Sequence, residues 1–149
     1  MEQLNFDSGI REFSINGRAV LRFNPADPNV YARYIEAVDK ISKVEKDLGK
    51  KANAIDPNAG DSYQKQLFLM RDADKKVKVI LSETFGEGND FEQIFDGVNV
   101  MAVAVNGERV IVNFINMIGP IIEAGATDFV EKQVSETKLN REQRRAMKK

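Results

Sequence analysis

Apolar and polar residues alternate at the start of the chain. Phe13 and Ile15 fall on one side of a short extended run, and Ala19, Leu21 and Phe23 fall on one side of the next, with Asn16-Gly17 between them. Period-two alternation marks strands, and Asn-Gly marks a tight reversal because both residues tolerate positive φ. The two apolar sets share a face only if the connection holds an odd number of residues. The pattern therefore predicts a hairpin over about 11–23 with a three-residue or bulged turn. A lone hairpin is marginal in water, so later segments of the chain must cover this face.

The period then changes. Tyr31, Tyr34, Ile35, Val38, Ile41, Val44 and Leu48 recur at threes and fours, which predicts a helix over about 28–48. Asp27 is placed to cap it, Pro28 suits its first position, and Gly49 is the expected stop. Leu67, Met70, Val77, Ile80 and Leu81 mark a second helix over about 61–84. Phe91, Ile94 and Phe95 mark a short third over 89–97, capped by Asn89 and closed by Gly97. Val110, Ile111, Phe114, Ile115, Ile118, Ile121 and Ile122 keep helical spacing, so a helix over 108–124 is expected, kinked or restarted at Pro120. A second hairpin about Asn106-Gly107 is the alternative start to this region. A last short helix is expected over 127–134. The expected fold class is α+β and mostly α: one N-terminal hairpin, then four to five helices, in a single globular domain over 1–137.

Charge adds an asymmetry that the net value of -1 conceals. Residues 138–149 hold six basic side chains (Lys138, Arg141, Arg144, Arg145, Lys148, Lys149) against one acid, Glu142. The other 137 residues hold sixteen basic and twenty-two acidic groups. The end is expected to be a basic flexible tail, since it carries no apolar stripe. No apolar run reaches eighteen residues, so no membrane span is expected. The absence of cysteine fits a reducing compartment, and the first seven residues lack the layout of a signal peptide.

Candidate chemistry is scarce. The chain has no His and no Cys, which removes the commonest general base, the commonest soft metal ligands and the Ser/His and Cys/His nucleophile pairs. Glu87, Asn89, Asp90, Glu92 and Asp96 cluster, but without the acid ladder, central Gly and closing Glu of a calcium loop. Gly86-Glu87-Gly88 is too short to cradle a phosphate. No enzyme activity, cofactor or metal is expected. The basic end could contact phosphates, yet it has no aromatic residue on which bases would stack. What remains is apolar surface. Phe91, Ile94, Phe95, Phe114, Ile115, Ile118, Ile121 and Ile122 hold many Ile and Phe residues with few polar residues between them. Any surplus over one small core is expected to form a partner-binding or self-associating face.

The order of segments carries a resemblance. "F-S-I-N-G-R-A-V-L-R-F" is followed by two charged amphipathic helices, then "F-E-Q-I-F-D-G", "V-N-F-I-N-M-I-G-P-I-I-E" and the basic "R-E-Q-R-R-A-M-K-K". This arrangement resembles the tail assembly chaperones of long-tailed phages and prophages over most of the chain. The resemblance implies a protein of the bacterial host cytoplasm that coats the tape measure protein and recruits tail tube subunits. It implies no catalysis and no cofactor. Two other readings stand beside it: a structural or connector component retained in the virion, and a small nucleic-acid-binding regulator acting through the basic end.

Overall fold

A computed structural model describes residues 1–147. The hairpin forms as strands β1 (Arg11–Ile15) and β2 (Ala19–Phe23), paired antiparallel with Phe13 opposite Leu21 and Ile15 opposite Ala19. That register leaves Asn16, Gly17 and Arg18 as a three-residue turn, with Asn16 and Gly17 both at positive φ and the Arg18 N–H donating to the Ile15 carbonyl at 3.1 Å. The connection is thus odd-numbered, as a shared apolar face requires. Ile15, Ala19, Leu21 and Phe23 are buried on that face.

Helix α1 spans Pro28–Asn53, and Asp27 caps it by accepting the Asn29 N–H. Gly49 does not stop it. An interior Gly costs about 1 kcal/mol against Ala, but Leu48 is buried, Lys51 pairs with Asp47 at 2.9 Å, and Lys50 and Lys51 face the negative end of the helix. Those local gains carry the helix one more turn. Helix α2 (Ser62–Phe85) folds back along α1, bringing Lys51 near Leu69 and Lys40 near Glu83. Arg33 Nε joins the far ends by donating to the Thr84 carbonyl at 3.0 Å.

The third helix, α3, is one turn, Phe91–Ile94. Asp90, not Asn89, caps it by accepting the N–H groups of Glu92 and Gln93. Asn89 is buried instead, and its amide reads the backbone of β2: Oδ1 accepts the Arg22 N–H at 2.8 Å, and Nδ2 donates to the carbonyls of Arg22 (2.9 Å) and Phe85 (3.0 Å). One side chain therefore pairs an open strand edge and ties it to the end of α2. Arg18 reaches from the turn to the carbonyls of Gln93 and Ile94, satisfying the C-terminal end of α3.

Residues 98–109 form a loop in which Val103 and Arg109 make one isolated bridge. The Asn106-Gly107 turn thus makes only this single bridged pair before α4 takes over at Val110. Helix α4 then runs unbroken from Val110 to Met147, 38 residues and about 57 Å at 1.5 Å per residue. It replaces the two helices expected at 108–124 and 127–134, and its last turns take in Lys138, Arg141, Arg144 and Arg145, where a flexible tail was expected. Lys148 and Lys149 lie outside the described residues. Pro120 is tolerated because it sits on the exposed side of α4, where the Asn116 carbonyl that loses its helical partner faces water. On the inner side two glycines permit close approach: a Cβ at Gly119 would lie 2.9 Å from the Tyr34 hydroxyl, and one at Gly125 would overlap the Pro25 carbonyl.

The core lies where the hairpin, α2, α3 and α4 meet. Phe23, Phe85, Phe91, Phe95 and Phe114 form a connected aromatic cluster with ring centroids 5.1–6.2 Å apart. Leu21, Val77, Val100, Ile111, Ile118 and Ile122 are fully buried around it. One charged group is set among them. Lys78 Nζ donates to Asp74 Oδ2 and Glu92 Oε2, both at 3.1 Å, while Asp74 Oδ1 accepts the Val100 N–H at 2.8 Å. This cluster holds α2, α3 and the 98–101 loop together.

Candidate protein-docking surface

Of the eight residues expected to face a partner, Phe91, Ile94, Phe95, Phe114, Ile118 and Ile122 are core, and Ile115 and Ile121 are half-buried against it. Those eight residues therefore supply little exposed surplus. The reason is the hairpin: with α2 and α3 it forms a third wall around the first turns of α4 and covers Ile111, Phe114 and Ile118, leaving Met117 partly exposed.

One exposed apolar surface that joins two helices lies at the corner where α4 leaves the body, apart from the exposed Leu67 and Phe68 of α2 and Val103 and Val105 of the loop before α4. Helix α1 buries Val30, Tyr34, Ala37, Ile41 and Leu48, so Tyr31, Ile35 and Val38 form a second stripe, 38–50% exposed. Beside its first turn, Pro28 and Tyr31 face Ala126, Phe129 and Val130 of α4 across a shallow groove of about 480 Å³. Val130 and, one turn on, Val134 are more than half exposed. The sequence contained a signal for this. Seven apolar residues on α1 span more than the width of one core-facing stripe, and a broad stripe requires a second contact. What the sequence did not reveal was which half would be left outside.

The corner's geometry is set by backbone contact. Gly125 lets α4 touch the turn at Pro25, and Gly119 lets it touch Tyr34. Burial, and then the nearby Glu123 carboxylate, push the Tyr34 phenol above its ordinary pKa, because both disfavour the phenolate. The hydroxyl therefore stays neutral at the helix crossing.

Among the described residues there is no cluster of three carboxylate, His or Cys side chains placed to hold a metal ion. Nor does any buried side-chain nitrogen or oxygen there lack a hydrogen-bond partner. The Lys78, Asp74 and Glu92 cluster is the most buried charged group, and its hydrogen bonds are taken up within the fold. The basic side chains Lys138, Arg141, Arg144 and Arg145 are exposed on the last turns of α4, far from the aromatic core. Helix α4 bears on membrane spans by its length, which a count of uninterrupted apolar residues does not consider. By length and composition alone it is long and apolar enough to cross a membrane. In this fold Ile111, Phe114, Ile118 and Ile122 of that stretch are packed in the core.

No protein family matches the chain, and neither a curated protein nor a solved structure shows significant similarity to it.

Proposed function

We propose that this chain is a protein-binding assembly factor, a tail assembly chaperone of the long-tailed phage kind that holds the tape measure protein and helps recruit tail tube subunits. The observation that supports this reading is the apolar corner between α1 and the emerging half of α4. Tyr31, Phe129 and Val130 line one open groove between the two helices, and Ile35, Val38 and Val134 are exposed further along them. An open apolar groove between helices accepts the apolar stripe of a partner helix with little demand on its sequence. A long helical client with many amphipathic segments is the kind of partner such a surface suits. The phage assignment rests on the resemblance of the segment order, and the docking mode rests on the corner.

Co-expression tests both. The tape measure protein encoded near this chain should be more soluble in its presence and co-purify with it. Tyr31→Glu with Val130→Glu should remove that effect while leaving the melting temperature close to the parent's, because both positions are exposed. A client that stays equally soluble with and without the chain would refute the chaperone reading. Recovery of the chain as a stoichiometric part of purified particles would favour the virion-component reading instead.

A further inference from the structure

The chain is electrically polar along its longest helix. Between Val79 and Glu108 there are six acidic residues and no basic one. Five of them, Glu83, Glu87, Asp90, Glu92 and Asp96, are exposed around the end of the molecule where α2, α3 and the start of α4 meet. Lys78 offsets Glu92 and Arg18 lies 3.7 Å from Asp96, whereas Glu83 and Glu87 have no ion-pair partner among the described residues. These two carboxylates border a shallow concavity of about 940 Å³ in which four acids (Glu83, Glu87, Asp90, Glu92) outnumber two bases (Lys75, Lys78). Val79, Gly86 and Phe91 are also in its lining, so this end offers apolar surface as well as net negative charge. At the other end of α4, Lys138, Arg141 and Arg145 share one helix face, Arg144 lies beside them, and Glu142 is the one acid. Lys138, Arg141, Arg144 and Arg145 are all exposed there.

The two ends cannot meet within one molecule. Phe114 of α4 packs on Phe91 at the acidic end, with ring centroids 6.2 Å apart. Arg145 lies 31 residues further along the same unbroken helix, roughly 45 Å away by helical rise. Bringing the basic end back to the acidic end would require breaking α4. We propose that the basic end of α4 docks on the α2–α3 end of a second copy, so that the chain associates head to tail. Neither end alone points to this; the presence of both on one rigid axis does. Such a contact is heterologous: each copy uses one surface to give and a different one to receive. Repetition then produces a ring or an open filament and not a closed dimer. This inference rests on different residues from those of the apolar corner.

Sedimentation velocity on nucleic-acid-free full chain tests the proposal. At about 50 mM NaCl the weight-average mass should rise with concentration without a plateau at the dimer. Raising the salt to about 500 mM should weaken association at least tenfold, because exposed charges are screened within a few ångströms there. Arg141→Ala/Arg144→Ala/Arg145→Ala and, separately, Glu83→Lys/Glu87→Lys should each be monomeric. An equimolar mixture of those two variants should form a one-to-one complex and nothing larger, since each then keeps only one working surface. A parent chain that remains monomeric at low salt would overturn the proposal. So would a mass that stops at the dimer, association that survives either set of substitutions, or association that appears only with nucleic acid bound.

Discussion

Gly125→Ala is expected to destabilise the protein, against the usual sign of that change in a helix. Ala in place of Gly inside a helix ordinarily gains about 1 kcal/mol. At Gly125 the added Cβ would overlap the Pro25 carbonyl and come within 3.1 Å of the Ala26 nitrogen. Those are backbone atoms in a buried, pinned turn. Ala26 N–H donates to Asn24 Oδ1 at 2.9 Å, Asp27 N–H donates to the Asn24 carbonyl at 3.2 Å, and Asn24 Nδ2 donates to the Ser8 carbonyl at 3.0 Å. Relief requires α4 to move away as a unit, which loosens Ile118 and Ile122. Overpacking of this kind costs about 1–3 kcal/mol, and the rigid neighbours place Gly125 at the upper end. After the helical gain is subtracted, the net loss is about 2 kcal/mol. A chain of this size should then melt roughly 4–8 °C lower. Urea and thermal unfolding followed by circular dichroism would measure it, with Gly49→Ala as the control. Gly49 has open space around its Cβ position, so that variant should gain about 1 kcal/mol. If Gly125→Ala were as stable as the parent while Gly49→Ala gained, the close crossing of α4 over the Pro25 turn would be wrong.

Three further outcomes are expected. Asp74→Ala should cost about 3–5 kcal/mol in urea unfolding, because it leaves Lys78 with only the exposed Glu92 and strips the Val100 N–H of its acceptor; a loss below about 1 kcal/mol would show that the cluster is not desolvated. Asn89→Ala should cost about 1–3 kcal/mol and raise hydrogen exchange at the Arg22 amide, whose acceptor it removes; unchanged exchange there would show that the amide bridge does not form in solution. Tyr34 has a folded-state pKa above its unfolded value, so its contribution to stability is complete below about pH 10 and is lost as pH rises through the folded value. Absorbance titration should therefore show one of the three tyrosines ionising late and together with unfolding, and Tyr34→Phe should abolish that late step.

How much of the fold was legible in the sequence depended on how far each feature reaches. The hairpin's register came from parity between two apolar runs. The start of α1 came from Asp27-Pro28, and the helical state of α2 and of the first half of α4 came from spacing. These are settled by residues within a turn or two of one another, where sterics and hydrogen bonding act locally. Helix ends were less legible. Gly49 and Pro120 are breakers by propensity, yet a buried Leu48 in one case and an outward-facing position in the other outweigh a cost of a few kcal/mol at most.

Burial was decided by tertiary structure alone. The sequence marked Phe91, Ile94, Phe95, Phe114, Ile118 and Ile122 as apolar, but whether they formed core or interface depended on the hairpin closing over them from more than sixty residues away. The same apolar content on α1 divided into a buried stripe and an exposed one only when α2 folded back along it and α4 crossed it at Gly119, together covering one side. Asn89 could have capped a helix; it became the pin for β2 because the fold placed a strand edge against it. Composition and spacing determine which residues must leave water. Which of them can do so depends on the area that distant segments bring to the same place, and that is a property of the packed chain.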